Sequence, residues 1–210
     1  MYDEYGSIVI PSGRGQISFG EVERREIAIA LAVLVSAFTI VLTVSGYPLL
    51  YALLVSVVVS ITGFLAHELG HKFVAQRYGA WAEFRTFRTG LIMALLFSFL
   101  GFLFAAPGAV YISGRVTKRQ NGMISIAGPA VNIVMAALFL GLWALLPVTG
   151  WVSAVLLMAG YLNAFLGAFN LIPVPPLDGS KIIGWSPVAW VAAMAASVAM
   201  VLVGMGIITI

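Results

Sequence analysis

The sequence predicts an all-α, polytopic membrane protein of about five transmembrane helices, with a membrane-associated re-entrant or β segment between the second and the third. Three observations carry that expectation. Of the 210 residues, 61% are hydrophobic and 9% charged, with a mean hydropathy of +1.06, whereas soluble domains carry about 25% charged residues. Five apolar runs, 27–44, 48–66, 123–146, 151–169 and 187–210, reach or approach the roughly 18 to 20 residues that cross a bilayer as a helix. If those runs alone cross, all 11 lysines and arginines fall on one side, as the enrichment of Lys and Arg in cytoplasmic segments requires.

Residues 1–26 are mixed in charge and lack a short apolar region followed by a small-residue cleavage site. They are expected to form a cytoplasmic N-terminal segment with no removed signal peptide. No polar run is long enough for a separate soluble domain, so 27–210 is expected to be one membrane-embedded domain. The linkers Ser45-Gly46-Tyr47-Pro48 and Pro147-Val148-Thr149-Gly150 carry no charge. They are expected to be tight turns on the side away from the positive residues.

A sixth apolar run, 90–106, is of borderline length and ends in Ala105-Ala106-Pro107-Gly108, which disfavours a continuous helix. A single crossing there would move Arg115, Lys118, Arg119 and Lys181 outside. The run is therefore expected to dip in and return, or to cross an even number of times, protected from lipid by the bundle where it is not helical. The alternative on hydropathy alone is an ordinary sixth span. Just beyond it, Pro107 to Ser113 is rich in β-friendly residues and could offer a strand edge to an extended peptide; the plainer alternative is a connector that pairs only within the protein.

There is no cysteine, so no disulfide or thiolate site forms, and any metal must be held by imidazole and oxygen. The net charge of +3 gives no reason to expect nucleic acid as a partner. The second apolar run ends in His67-Glu68-Leu69-Gly70-His71, which holds both histidines of the chain. Four residues apart on a helix, the two imidazoles share a face and can reach one ion. Glu68, about 100° round the helix from His67, can address a water beside that ion without ligating it. The plainer alternative makes His67 and His71 interfacial polar residues, with Lys72 and Arg77 as snorkelling anchors, and leaves the spacing and the glutamate unexplained.

A catalytic zinc site wants three protein ligands and one open position. After Glu68 the remaining carboxylates are Glu83 and Asp178. Glu83 lies among Arg85 and Arg88, where a solvated or ion-paired role suits it. Asp178 follows an apolar helix and could instead cap the helix beginning after it. On the charge-based topology Asp178 arrives on the same side as the histidines and at a similar depth, which favours it as the third ligand.

The paired segments His67-Glu68-Leu69-Gly70-His71 and Asn170-Leu171-Ile172-Pro173 through Pro175-Pro176-Leu177-Asp178-Gly179 resemble the two metal motifs of the site-2 proteases, the intramembrane zinc metalloproteases. Gly128-Pro129-Ala130 is also similar to that family's pattern. The likeness covers 48 to about 183, and the two motifs in this order are specific, whereas His-Glu-x-x-His alone is shared with many soluble proteases. It implies regulated cleavage of a transmembrane protein substrate inside the bilayer by a metal-activated water; with the charge placement and the ligand geometry above, the expectation is a multi-pass protein of the cell membrane, its active-site end cytoplasmic, with one zinc per chain on His67, His71 and Asp178. Glu68 would be the base and Asn170, eight residues before Asp178, an oxyanion or substrate contact; an interhelical hydrogen bond is the alternative for Asn170. Pro107, Gly108, Ala109, Val110, Tyr111, Ile112 and Ser113 would form the family's substrate-binding strand. No PDZ or nucleotide-sensing domain of the kind some members carry is expected here, and the long apolar insert before Pro107 is unlike the shortest members.

Two rival functions make different demands on the sequence. Membrane zinc proteases of the Ste24 or heat-shock type take, by resemblance, a glutamate well downstream as third ligand, and no glutamate follows Glu83. A catalytically inactive metal-binding scaffold or metal carrier would be expected to spread polar groups along its spans, whereas here the ionisable groups gather at one end and Glu68 is intact.

Overall fold

The computed structural model describes residues 17–103 and 107–208. The first sixteen residues of the expected N-terminal segment and 104–106, which end the sixth apolar run, lie outside the described residues. Helix α1 is Glu21–Val44. Helices α2 (Leu49–Val59) and α3 (Ala66–Arg77) are joined without a break by a π-helical turn at Ser60–Leu65. Strand β1 (Trp81–Thr86), helix α4 (Arg88–Ser98) and strand β2 (Gly108–Ser113) follow. The chain then continues through α5 (Lys118–Leu145), α6 (Gly150–Asn170), the short α7 (Asp178–Trp185) and α8 (Pro187–Gly204).

Among the described residues five helices are long and apolar enough to cross a membrane: α1, the continuous α2–α3 rod, α5, α6 and α8. They begin earlier than hydropathy predicts where polar residues supply the first turns. Helix α1 starts at Glu21 rather than at 27. Helix α5 starts at Lys118 rather than at 123, because Thr117 and Gln120 close a reciprocal capping box, with Gln120 N donating to Thr117 Oγ1 at 3.2 Å and Thr117 N to Gln120 Oε1 at 2.8 Å.

Among the described residues, the sixth apolar run forms no helix long enough to cross a membrane. Helix α4 has 11 residues, about 16 Å of rise, against a hydrocarbon core of about 30 Å. Strands β1 and β2 pair antiparallel from Trp81↔Ser113 to Thr86↔Gly108, and Phe87 N donates to Pro107 O at 3.1 Å. The chain therefore leaves the sheet and returns to its point of departure. Every described Lys and Arg lies in the first turns of α1, between the last turns of α3 and the start of α5, or between α6 and α8, the ends that meet when the five long helices alternate in direction.

An apolar cluster of Phe38, Leu42, Tyr51, Ala52, Val55, Val59 and Ala159 joins α1, α2 and α6 away from that end. At the charged end the packing is polar. Lys72 and Glu23 are both fully buried, with Nζ 2.6 and 2.5 Å from the two carboxylate oxygens. Lys72 also lies 4.3 Å from the centroid of the Phe19 ring. It is thus no snorkelling anchor: the first turn of α1 supplies a carboxylate that neutralises it inside the protein. The Glu23 carboxylate also accepts Phe84 N at 2.9 Å, and Glu26 accepts Thr86 N at 3.0 Å and the Thr86 hydroxyl. Two acidic side chains of α1 so occupy the outer edge of β1.

Breaking a buried ion pair from one side leaves an uncompensated charge and costs about 3–5 kcal/mol, whereas replacing both partners with apolar residues is often neutral. Lys72→Met is expected to lose about that much stability in an SDS-titration unfolding curve, and Lys72→Met with Glu23→Leu to recover most of it.

Candidate metal centre

Helix α3 brings His67 and His71 onto one face, with their Nε2 atoms 3.0 Å apart. Asp178 Oδ2 lies 3.5 Å from His67 Nε2 and 3.1 Å from His71 Nε2. These are the residues that could hold a metal among those described. A tetrahedral ion with ligands at about 2.0–2.1 Å separates its donors by about 3.4 Å, so the triangle is close to ligation size.

The other imidazole nitrogens orient the rings. His71 Nδ1 is 2.7 Å from the Ile124 carbonyl, which can only accept, so Nδ1 carries the proton and the Nε2 lone pair faces the centre. His67 Nδ1 lies 2.5 Å from Asn132 Oδ1. The Asn132 amide donates to the Gly63 carbonyl at 2.9 Å and faces Asn163 Oδ1 at 3.4 Å, which leaves its oxygen for His67. Asn163 in turn donates to Thr62 Oγ1 at 3.0 Å and to Ala159 O at 2.9 Å. Gly63 belongs to the π turn, where Ala66 N reaches back five residues to Ile61 O; such turns place backbone groups outside the regular ladder.

Two imidazole lone pairs and a carboxylate oxygen within 3.5 Å of one another call for a cation between them. Room for one exists on the α5 side. A Cβ at Gly128 would stand 2.4 Å from His71 Nε2 and 2.6 Å from His67 Nε2. The donor set and this cradle fit zinc.

Asp178 is the first residue of α7 and is not its cap, which is Leu177 without a side-chain bond. The turn before it is held by Trp190 Nε1 donating to Leu171 O at 2.6 Å. Gly179 allows the close approach, since a Cβ there would meet Leu171 O at 2.0 Å.

Glu68 leaves the same helix toward the sheet, and its Oε2 accepts Val110 N at 3.0 Å. Strand β2 is so tied to the histidine helix through the carboxylate expected to be the base. Glu83 is paired with Arg85 and lies outside the cluster. Asn170 ends α6, and its amide donates to Leu166 O of that helix at 3.0 Å, an intrahelical bond rather than an interhelical one. Pro107 precedes β2, and Gly108 to Ser113 form it.

Asn132 was not anticipated from the sequence, nor was the cradle at Gly128. The signal for Asn132 was present, because a carboxamide in an otherwise apolar span needs a partner; Asn163 gave the same signal.

Residues 144–208 match the family model described as peptidase family M50. Over 176 residues, 83% of this chain and 91% of the relative, the sequence is 35% identical to a Methanocaldococcus jannaschii protein provisionally named zinc metalloprotease MJ0611. It is 35% identical over 130 residues, 54% of this chain and 49% of the relative, to the Mycolicibacterium smegmatis protein provisionally named zinc metalloprotease Rip2. With the Bacillus subtilis protein provisionally named zinc metalloprotease YwhC it shares 30% identity over 147 residues, 60% of this chain and 66% of the relative. The chain thus spans nearly all of the first relative and about half of the second. No solved structure matches it.

Filling the cradle is expected to expel the metal. Gly128→Ala should lower zinc affinity roughly tenfold or more, read by elemental analysis after dialysis against a zinc buffer, while Gly141→Ala on the same helix, where a Cβ meets nothing within 4 Å, should keep parental zinc.

Proposed function

Because the chain belongs to peptidase family M50, the site-2 protease family, we propose that it is an intramembrane zinc metalloendopeptidase that hydrolyses peptide bonds within or near the spanning helices of membrane protein substrates. The observation that carries this reading is the convergence of His67, His71 and Asp178 beside Gly128. His67 Nε2, His71 Nε2 and Asp178 Oδ2 would hold one zinc per chain. Zinc bound there would supply Lewis acidity and bring the pKa of a water from about 16 to about 7.

The chain's own residues then divide the work. Glu68 accepts the proton of the attacking water and returns it to the leaving amine. Asn170 gives up its Leu166 bond and donates to the oxygen of the scissile carbonyl. The Asn132 and Ile124 oxygens keep each Nδ1 protonated and each ring in place. Pro107 to Ser113 offer the edge on which an unwound substrate segment pairs. Unwinding is needed because carbonyls in a helix are already bonded.

Charge supports an orientation. The end that gathers the described Lys and Arg residues, and the metal centre with them, faces the cytoplasm, and with it the start of α1 and the N-terminal segment. The 87–107 excursion is membrane-associated and re-entrant on this reading, supported by the exposed apolar side chains Ile92, Leu96, Phe99 and Leu100. A reporter fused after Lys118 is therefore expected to read cytoplasmic; an external reading would overturn the orientation.

Glu68→Gln keeps size while removing the base. Zinc content is expected to be unchanged while cleavage of a single-spanning substrate falls about 10²- to 10⁴-fold, measured in detergent and again in liposomes. Asp178→Asn should lower both zinc and cleavage, because it changes a ligand's charge. Parental cleavage by zinc-loaded Glu68→Gln would remove Glu68 from the role of base, whereas no cleavage by the zinc-loaded parent would defeat the protease reading and favour a metal-binding scaffold.

A further inference from the structure

The two-stranded sheet has two outer edges, and they are treated differently. In an antiparallel ladder, residues alternate between bonding the partner strand and facing away from it. The amides of Phe84 and Thr86 go to Glu23 and Glu26, so both face away from β2. Their register partners are Val110 and Gly108, whose backbone groups must face away from β1 by the same alternation. The bond from Val110 N to Glu68 agrees with that parity. Gly108, Val110 and Ile112 therefore make the outer edge of β2.

The β1 edge is closed by two carboxylates of α1. On the β2 edge, among the described residues, Glu68 is the one side chain that bonds the backbone, and it does so at the central residue. Among the described residues no lysine or arginine is paired with Glu68. A strand added to this edge needs the amide and carbonyl of alternate residues, so pairing that bridges Gly108 to Ile112 passes through Val110.

We propose that the Glu68–Val110 hydrogen bond is a latch that an extended peptide segment opens by taking the Val110 amide for its own carbonyl, so that strand addition and release of the carboxylate are one event. This rests on the protease reading given above and assigns a regulation to that site. With no strand on the edge, the carboxylate is held by β2. A segment still wound as a helix cannot open the latch, because its carbonyls are already bonded. An unwound segment offers a free carbonyl at the required spacing. The latch so makes the base available only to substrates already in the form that can be cut, and closure of the β1 edge by Glu23 and Glu26 leaves a single place for them to pair.

The test uses the purified full chain, zinc-loaded, in nanodiscs. Glu68→Gln retains a neutral acceptor for Val110 N, and Glu68→Ala retains none. In hydrogen exchange without substrate, the Val110 amide should be protected in the parent and in Glu68→Gln and exchange at least roughly tenfold faster in Glu68→Ala. A synthetic single-span peptide with a central Asn-Gly pair should bind Glu68→Ala about three- to tenfold more tightly than Glu68→Gln, the worth of one neutral hydrogen bond that no longer has to be broken. Both variants lack the base, so cleavage does not disturb the equilibrium. Val110→Pro removes the donor without removing a ladder bond, and in its background the difference between the two Glu68 variants should vanish. Equal Val110 exchange in the three proteins, or equal peptide affinity of the two variants, would overturn the latch. If Val110→Pro fails to fold, the exchange comparison alone decides. Loss of cleavage in Glu68→Gln with no exchange difference would sink the latch and leave the protease reading standing; no cleavage by the zinc-loaded parent would sink that reading instead.

Discussion

Three hydrogen-bond acceptors, His67 Nε2, His71 Nε2 and Asp178 Oδ2, lie within 3.5 Å of one another inside a bundle of apolar helices. Such a group is costly to assemble away from water unless a cation satisfies it. Much of the surrounding structure keeps it from relaxing. Ile124 and Asn132 on α5 hold the two rings by their Nδ1 atoms. Gly128 on the same helix leaves the space between them open. The close seat of Gly179 on Leu171 delivers Asp178 from the far side. Helix α5 is therefore the wall against which the other ligand-bearing elements are placed, although it supplies no ligand of its own.

A second use of carboxylates gives the charged end its form. Glu23, Glu26 and Glu68 each accept a backbone amide from the small sheet, so a two-stranded ribbon that would be marginal alone is fastened to α1 on one side and to the histidine helix on the other. Lys72 neutralises Glu23 within the protein. These contacts join metal centre, sheet and first helix into one polar assembly at the end of an apolar bundle. The site thus combines a metal-binding half with a strand edge, and Glu68 bridges the two.

Some of this was legible from local rules. Hydropathy located the five long helices because a bilayer demands about twenty apolar residues per crossing. It misplaced the starts of α1 and α5, where polar first turns such as Glu21 and the Thr117 capping box continue a helix without contributing hydropathy. Charge placement led to the expectation that 90–106 returns to its starting side; the structure adds that Thr86 pairs with Gly108, so the two strands that flank the excursion lie together. The spacing of His67 and His71 already implied a shared face, since that follows from helical pitch alone.

By itself the sequence determined what is short-range or summed over a segment: which runs are apolar enough to span, which residues can share a helix face, and which few side chains can bind a metal without cysteine. Only the tertiary structure decided which distant groups meet. Asn132 is 65 residues from His67, Val110 is 42 from Glu68, and Glu23 is 49 from Lys72. No periodicity encodes such pairs, because each depends on how helices pack and on where a glycine lets two backbones come close. Lys72 shows the difference: its place at the end of an apolar run suggests a side chain reaching for water, and it is the carboxylate brought by another helix that keeps it inside.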